Sequence, residues 1–302
     1  MTPPPRPPLR HAAWLLEGES IDPQRLRALG GKAATLMGLA QAGYPVLPSL
    51  VLLPSAFELS RPDPVQLPQR LDVQVWQELK GALAVLEQLS QGALGESWEW
   101  SHGDGRWAVR SSGPWEDGER ASYAGQFMTR LSVAGADLEE AILAVWRSAF
   151  GSGPAVYRRE RGLPEPPETP AAGEAPAVLI QPMLAPRCSG VAFSADPVSG
   201  RRGVTLVQAT SGVAAALVAG AEEGDTWLLD REGRVLEHRA APERTAAPWP
   251  GAGSRSLDAA AGGVNGDPAP PPPRAALGVA EAQRIDRKST RLNSSHQIIS
   301  YA

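Results

Sequence analysis

Two short segments place a cation among small residues, a combination that suits the binding of phosphate groups. In the first segment, Arg110 leaves a predicted strand and enters a loop that begins with Ser111 and Ser112. Small loop residues let backbone N–H groups approach an anion, and a guanidinium can make two parallel hydrogen bonds to a phosphate. A surface loop with a structural arginine explains this segment equally well, so the segment alone leaves both interpretations open.

The second segment is Gly30-Gly31-Lys32, which opens a predicted helix. Two glycines permit a tight turn into the helix, and a lysine in the first turn can join the helix N-terminus in holding phosphate. Lys32 is one of only three lysines in the chain. The spacing is not that of a Walker A loop, and a solvated lysine after a helix start is the simpler interpretation of this segment alone.

Length, composition and charge exclude several classes of protein. The 302 residues are enough for two domains, and 42% hydrophobic residues can form a sizeable core. A net charge of -4 argues against a nucleic-acid binder with a basic surface, and one cysteine excludes a disulfide framework. No apolar stretch is long enough for a membrane span, and the N-terminus lacks the apolar core of a signal peptide. These features predict a cytoplasmic protein without nucleic-acid or membrane partners.

The elements that would position these cations follow from hydrophobic periodicity. The pattern predicts helices at 31–40, 73–89, 138–150 and 214–221. It predicts strands at 46–53, 107–110, 127–133, 177–183, 189–194 and 204–209, with a hairpin formed by 226–229 and 235–238. Because strands and helices mix without a regular alternation, the pattern predicts an α+β fold with antiparallel sheet.

Six segments, taken in chain order, resemble one family of ATP-binding domains. They are Gly30-Gly31-Lys32, Val109-Arg110-Ser111-Ser112, Ser122-Tyr123-Ala124-Gly125-Gln126, Trp146-Arg147-Ser148-Ala149-Phe150 with Tyr157-Arg158, Gln181-Pro182-Met183, and the run from Ser189 to Pro197. The chain is similar to the N-terminal nucleotide-binding domain of phosphoenolpyruvate synthase and pyruvate, phosphate dikinase. Rifampicin phosphotransferases and plant glucan, water dikinases share that domain.

The resemblance implies an ATP-grasp-like α+β fold in which two lobes of mixed and antiparallel sheet hold ATP. Lys32 and Arg110 would be the catalytic cations on the phosphates, with Ser111 beside them. A loop would cover the β- and γ-phosphates, and its ATP-binding residues would be Ser122, Ala124, Gly125 and Gln126. The strand at 178–183 would border the adenine, with Gln181 and Met183 in contact with the nucleotide.

The predicted domain organisation has seven parts. They are a flexible proline-rich tail at 1–14, a first lobe with the phosphate-binding loop at 15–162, a connecting loop at 163–176, a second, adenine-side lobe at 177–240, a disordered Ala/Pro/Gly linker at 241–275, a short helix at 276–285, and a segment foreign to the fold at 286–302.

Two neutral residues stand where the family usually has acids. The family segment Glu-Ala-x-x-Gly-Leu-Gly-Glu corresponds to 208–215, so Gln208 and Ala215 replace both carboxylates. The resemblance also implies Mg²⁺, with ligands in a later segment that these 302 residues do not include, and no metal ligand is assigned within the chain. A phosphohistidine domain and a barrel that would bind pyruvate are likewise expected outside it.

These features predict the ATP-binding part of a phosphoenolpyruvate-synthase-like dikinase. The whole enzyme would convert ATP, pyruvate and water to phosphoenolpyruvate, AMP and phosphate through a phosphohistidine. Pyruvate would bind only through the other domains, and this chain alone is predicted to be inactive. Two alternatives stay open: a diverged module that binds nucleotide without catalysis, and the ATP-binding half of a rifampicin or glucan phosphotransferase.

Overall fold

The computed structural model describes residues 4–16, 22–44, 46–94, 106–113, 117–118, 121–122, 128–150, 175–184, 186, 188–241 and 282. The chain divides into two compact units, Met1–Met183 and Leu184–Ala302. Both contain antiparallel sheet, and helices accompany the sheet in the first. The predicted α+β class is therefore confirmed. Among the described residues, no helix has the length and apolarity that crossing a membrane requires.

A sheet of five strands forms the centre of the first unit. Its strands are β1 (Ala12–Leu15), β2 (Ser49–Leu52), β3 (Trp107–Ser112), β6 (Thr129–Val133) and β7 (Ala177–Pro182). They lie in the order β1-β2-β7-β3-β6, and every neighbouring pair is antiparallel. Two short strands, β4 (Asp117–Gly118) and β5 (Ala121–Ser122), pair separately as a hairpin.

Helices cover both faces of this sheet. They are α1 (Pro23–Ala28), α2 (Gly30–Gln41), α3 (Pro54–Ser60), α4 (Val73–Leu94) and α5 (Leu138–Ala149). Helices α3, α4 and α5 bury their apolar residues with Val109, Val178 and Ile180 on one face. On the other face, Ala33 and Met37 of α2 pack with Val51 and Leu179. The alternation of side chains along the strands therefore divides their buried apolar residues between two separate cores.

An aromatic cluster anchors α5 to the sheet. Phe57 of α3 meets Trp146 of α5 edge to face, with ring centroids 5.3 Å apart. The indole N–H of Trp146 donates to the carbonyl of Pro176, the residue before β7, at 3.2 Å. Trp146 therefore joins three parts of the unit and leaves no buried donor unpaired, as a buried indole requires.

The second unit contains a sheet of four antiparallel strands in chain order. They are β8 (Cys188–Ala195), β9 (Arg202–Ser211), β10 (Asp225–Asp230) and β11 (Val235–Arg239), with a single helical turn, α6 (Ala215–Val218), between β9 and β10. At the β8–β9 pairing, a Cβ on Gly190 would lie 2.0 Å from the carbonyl oxygen of Gln208. Glycine is therefore the residue that lets the two strands approach there.

The predicted end of the N-terminal flexible tail is wrong. The predicted flexible tail ran through residue 14, but residues 12–14 belong to β1 and pair with β2. Long-range contacts hold this segment: Glu78 accepts hydrogen bonds from the backbone N–H groups of Arg10 and His11, and Arg25 donates to the carbonyl of Ala12. The four strand residues are too few to show a period, and these partners are distant in sequence.

Other differences concern short elements and the ends of longer ones. Helices α1 and α3 were not predicted, because each spans fewer than two helical turns and shows no apolar periodicity. The strand expected at 46–53 is shorter, at Ser49–Leu52. Of the predicted helix at 276–285 only Ala282 is described, and it is helical and buried against the apolar side of the second sheet. Of the predicted linker at 241–275 only Ala241 is described, and its backbone N–H donates to the carboxylate of Asp225 at 3.0 Å. The predicted segment at 286–302 lies outside the described residues, and the other domain boundaries stay predictions.

Gly30, the first residue of α2, meets the end of β3 too closely for any side chain. A Cβ on Gly30 would lie 1.8 Å from the carbonyl oxygen of Ser112, and its φ of +72° is in the left-handed region that favours glycine. Both the contact and the backbone conformation therefore require glycine at the point where the helix begins.

We expect Gly30→Ala to lower the free energy of unfolding of the first unit by about 2–4 kcal/mol, because it adds backbone strain to a steric clash. Thermal and urea unfolding would measure the change. Gly38→Ala in the same helix is the matched control, since a Cβ there meets nothing within 4 Å. That control should be neutral or stabilise by about 0.5–1 kcal/mol. Equal stabilities of the two variants would contradict the close contact.

Candidate functional site

Ser112 joins the start of α2 to the end of β3 through its side chain. Its hydroxyl donates to the carbonyl of Leu29 at 2.7 Å and accepts from the backbone N–H of Ala33 at 3.0 Å. The backbone N–H of Gly31 also donates to the carbonyl of Gly113, at 3.0 Å. The Gly-Gly-Lys segment and the Val-Arg-Ser-Ser segment, 80 residues apart, are therefore one structural unit in the folded protein.

These hydrogen bonds use backbone N–H groups with which the start of α2 could otherwise bind an anion. Two N–H groups at the beginning of α2, those of Gly31 and Ala33, already donate within the protein. A helix N-terminus binds anions through such orphan N–H groups. An anion near this helix start would therefore depend more on the side chains of Lys32 and Arg110 than the sequence alone suggested.

Strand geometry puts Arg110 on the same face of the sheet as α2. Arg110 lies two residues before Ser112, so both side chains project from the same face of β3. Its partner across the β3–β7 pairing is Leu179, which packs in the α2 core. The backbone of Lys32 also lies close to this strand end, because Lys32 precedes Ala33, whose N–H donates to the Ser112 hydroxyl. The two segments that carry the cations are adjacent, while convergence of the charged groups on one ligand stays a prediction.

Ser111 lies on the opposite face. It is 1% exposed, and its partner across the pairing is Val178, which belongs to the core under α4 and α5. Its backbone N–H donates to the carbonyl of Met128 at 3.4 Å. The structure therefore separates Ser111 from Arg110 across the sheet, and the side chain of Ser111 is not part of the group that faces α2.

Gln181 joins the face that Arg110 occupies. It pairs with Ala108, so it is a diagonal neighbour of Arg110 on the adjacent strand. Its amide nitrogen donates to the hydroxyl of Ser49 at 3.0 Å. Met183 follows at the end of β7, where it is buried and its N–H donates to the carbonyl of Arg106 at 2.9 Å. The strand expected to border the adenine is thus the middle strand of the first sheet.

The predicted phosphate-covering loop is described only at its first residue. The backbone of Ser122 lies in β5 and pairs with Asp117 of β4. Ala124, Gly125 and Gln126 lie outside the described residues. A role of this loop in ATP binding therefore stays a prediction.

Two other residues of the six segments that resemble the family stabilise the fold. Trp146 anchors α5, as described above. Asp196 organises the turn between β8 and β9, because its carboxylate accepts from the hydroxyl of Ser199 and the N–H of Val198. The bond from Ser199 holds the pKa of Asp196 below its ordinary value. Turn formation accounts for this aspartate without a ligand.

The two residues that replace family acids lie in the second unit. Gln208 is on β9, and its amide nitrogen is 3.4 Å from the hydroxyl of Thr226 on the neighbouring strand. Ala215 begins α6 and is exposed. Within the part of the chain that the structure describes, no group of three or more His, Cys, Asp or Glu side chains could hold a metal ion. No described residue is therefore assigned to Mg²⁺.

Sequence reasoning did not identify Ser49 and gave Ser112 no separate role. Ser112 could have been found, since a serine at a strand end can cap a nearby helix. Ser49 gave no signal, because Gln181, the partner that makes it noteworthy, lies 132 residues away along the chain.

Comparisons with known proteins agree with this architecture. Residues 69–252 match the family described as pyruvate phosphate dikinase, AMP/ATP-binding domain. A rifampicin phosphotransferase of Streptomyces sviceus is 32% identical over 242 residues, which cover 74% of this chain and 27% of that protein. A probable phosphoenolpyruvate synthase of Methanothermobacter thermautotrophicus is 30% identical over 230 residues, or 69% of this chain and 33% of that protein.

A third relative differs in its named product. The prodigiosin synthesizing transferase PigC of Serratia marcescens is 28% identical over 242 residues, 73% of this chain and 24% of that protein. The chain thus spans about a quarter to a third of the length of these relatives. Because the family match covers more than half of its residues, the chain belongs to the pyruvate phosphate dikinase AMP/ATP-binding domain family.

Proposed function

We propose that this chain binds ATP and forms the nucleotide-binding part of a phosphotransferase. The observation that carries the proposal is the contact of Ser112 with Leu29 and Ala33. It fixes the segment of Lys32 beside the segment of Arg110, so two cations can share one polyphosphate. Phosphoryl transfer needs positioning and positive charge more than it needs covalent chemistry from the protein.

In this proposal, Lys32 and Arg110 hold the phosphates and Gln181 and Met183 contact the adenine. The loop residues Ser122, Ala124, Gly125 and Gln126 cover the β- and γ-phosphates. Arg110 makes the bidentate contacts that a guanidinium offers to phosphate, and Lys32 acts as a compact charge. Ser111 supports the strand end from the opposite face, since its side chain faces the other core and its backbone N–H donates to the carbonyl of Met128.

The phosphoryl acceptor belongs to parts of a longer protein. A phosphohistidine on another domain would receive the phosphoryl group and pass it to pyruvate, in a reaction like that of phosphoenolpyruvate synthase. The relatives are named for phosphoenolpyruvate synthesis, rifampicin and prodigiosin, so a different final acceptor is equally compatible with this nucleotide-binding part. Mg²⁺ would neutralise charge on the phosphates when bound, and its ligands are expected in residues other than those described.

A second candidate is a module that binds nucleotide without catalysis. Gln208 and Ala215 favour it, because an amide that faces Thr226 and an exposed methyl group stand where the family usually has carboxylates. An amide is neutral and cannot supply the negative charge that a divalent cation prefers in its ligands. The two candidates agree on ATP binding and differ in turnover.

The binding proposal predicts that Lys32→Ala and Arg110→Ala each weaken ATP binding. For Arg110→Ala we expect a loss of about 10- to 150-fold in affinity, because a hydrogen bond to a charged group is worth about 1.5–3 kcal/mol. Isothermal titration calorimetry with ATP and Mg²⁺ would measure it.

The matched controls are Lys80→Ala and Arg147→Ala. Lys80 is exposed on α4 over Trp76, and Arg147 is exposed on α5 beside Glu140, so both lie on helices that cover the other face of the sheet. Both controls should bind ATP as the unmodified chain does. If Arg110→Ala keeps its fold and full ATP affinity, the phosphate site is misplaced.

If the second candidate is correct, the 302-residue chain binds ATP without appreciable turnover, because neutral residues occupy positions 208 and 215. Loss of one electrostatic contact to a transition state commonly costs about 10²–10³ in rate. Release of ADP and AMP from labelled ATP with Mg²⁺ would be compared between the chain and the double variant Gln208→Glu, Ala215→Glu. Turnover by the unmodified chain at the tens per second typical of kinases would contradict this expectation.

A further inference from the structure

A buried serine fixes the orientation of the Gln181 amide. Ser49 lies on β2, the strand beside β7, and is 0% exposed, while Gln181 is 8% exposed. The Ser49 oxygen is 2.8 Å from the carbonyl oxygen of Leu47 and 3.0 Å from the amide nitrogen of Gln181. These contacts form a short chain from a backbone carbonyl through a hydroxyl to a side-chain amide.

The hydrogens of this chain can be assigned by elimination. A carbonyl oxygen only accepts, so the hydroxyl hydrogen of Ser49 must point to Leu47. Ser49 then has no hydrogen left for Gln181 and can only accept from it. The NH₂ end of the Gln181 amide must therefore face Ser49. This assignment follows from donor and acceptor chemistry and does not depend on telling nitrogen from oxygen by position.

The orientation decides what the amide offers to a ligand. One hydrogen of the amide nitrogen is used by Ser49, which leaves the carbonyl oxygen Oε1 as an acceptor and the second hydrogen as a donor. Adenine presents the matching pair, an exocyclic N6 amine that donates and an adjacent ring nitrogen that accepts. Guanine presents the O6 acceptor at the same position, so Oε1 would face another acceptor unless the amide turned around.

We propose that Ser49 is a positioning residue that makes the nucleotide site select adenine over guanine, by holding Gln181 with Oε1 toward the base. This inference rests on the proposed function, in which Gln181 contacts the base of ATP. Gln181 lies on the same sheet face as Arg110, one residue before β7 ends at Pro182 and two before Met183, where the first unit ends. A base at Gln181 and phosphates at Arg110 would thus occupy one face.

A purely structural role of Ser49 makes a different prediction. If Ser49 only stabilised the strand pair, its loss would weaken ATP and GTP binding by the same factor. If Ser49 orients the amide, its loss frees Gln181 to turn, so ATP affinity falls while GTP affinity is kept or rises. The ratio of the two affinities is therefore the decisive quantity.

The experiment measures ATP and GTP dissociation constants by calorimetry on the whole chain and on Ser49→Ala. We expect the unmodified chain to prefer ATP and Ser49→Ala to reduce that preference about 3- to 10-fold, the range that one or two neutral hydrogen bonds support. Ser49→Thr keeps the hydroxyl and should keep the preference. Ser90→Ala is the matched control, because Ser90 is also fully buried and donates to a backbone carbonyl, that of Leu86 on α4.

Two further measurements test the inference without relying on one variant. In a Gln181→Ala background, Ser49→Ala should no longer alter the ATP-to-GTP ratio, since Ser49 acts through that amide. On the unmodified chain, purine riboside triphosphate, which lacks the N6 amine, should bind about 3- to 10-fold more weakly than ATP. This ligand comparison remains decisive if Ser49→Ala does not fold.

The outcomes separate this inference from the proposed function. A chain that binds neither ATP nor GTP overturns both. A chain that binds ATP in an Arg110-dependent way, but whose ATP-to-GTP ratio is unchanged by Ser49→Ala, overturns the role of Ser49 alone. Equal affinity of the unmodified chain for ATP and purine riboside triphosphate overturns it as well.

Discussion

The side chain of Ser112 is the constraint on which the candidate site depends. Its hydroxyl donates to the carbonyl of Leu29 and accepts from the N–H of Ala33. These two bonds fix the end of β3 relative to the start of α2. The contact is possible only because residue 30 is glycine, since any side chain there would overlap the carbonyl of Ser112. Two segments far apart in sequence, each weak evidence alone, thereby become neighbours. The segments that carry Lys32 and Arg110 therefore lie side by side, as the proposed phosphate site requires.

The two faces of the first sheet differ in what they carry. The face under α4 and α5 carries mainly apolar and aromatic residues, together with the buried Ser111, and stabilises the unit by burial. The face toward α2 combines apolar packing with a set of polar residues on three adjacent strands: Ser49, Gln181, Arg110 and Ser112. Buried polar groups are costly unless they are hydrogen-bonded, and Ser49, Gln181 and Ser112 meet this requirement through one another or through backbone. In our proposal, ATP binds on this face.

The sequence predicted the elements with a clear period and missed those that depend on distant partners. Helix α4 and strands β3 and β9 were expected from apolar spacing, and the α+β class followed from their mixture. The strand at Ala12–Leu15 was missed because contacts with Glu78 and Arg25 hold it, and no local pattern reports such contacts. Residue types at the site were recognised from their order along the chain, but the sequence could not show that Ser111 and Arg110 face opposite cores. That separation follows from the register of β3 against β7, which only the folded structure gives.

The central claim is that Lys32 and Arg110 hold the same polyphosphate beside the Ser112 contact. A crystal structure of the chain with a non-hydrolysable ATP analogue tests it most directly. The account predicts the Lys32 Nζ and the Arg110 guanidinium each about 2.7–3.2 Å from phosphate oxygens of one nucleotide, with the Ser112 bonds to Leu29 and Ala33 unchanged. Phosphates bound elsewhere on the chain, or cations that face different surfaces with only one in contact, would contradict the account.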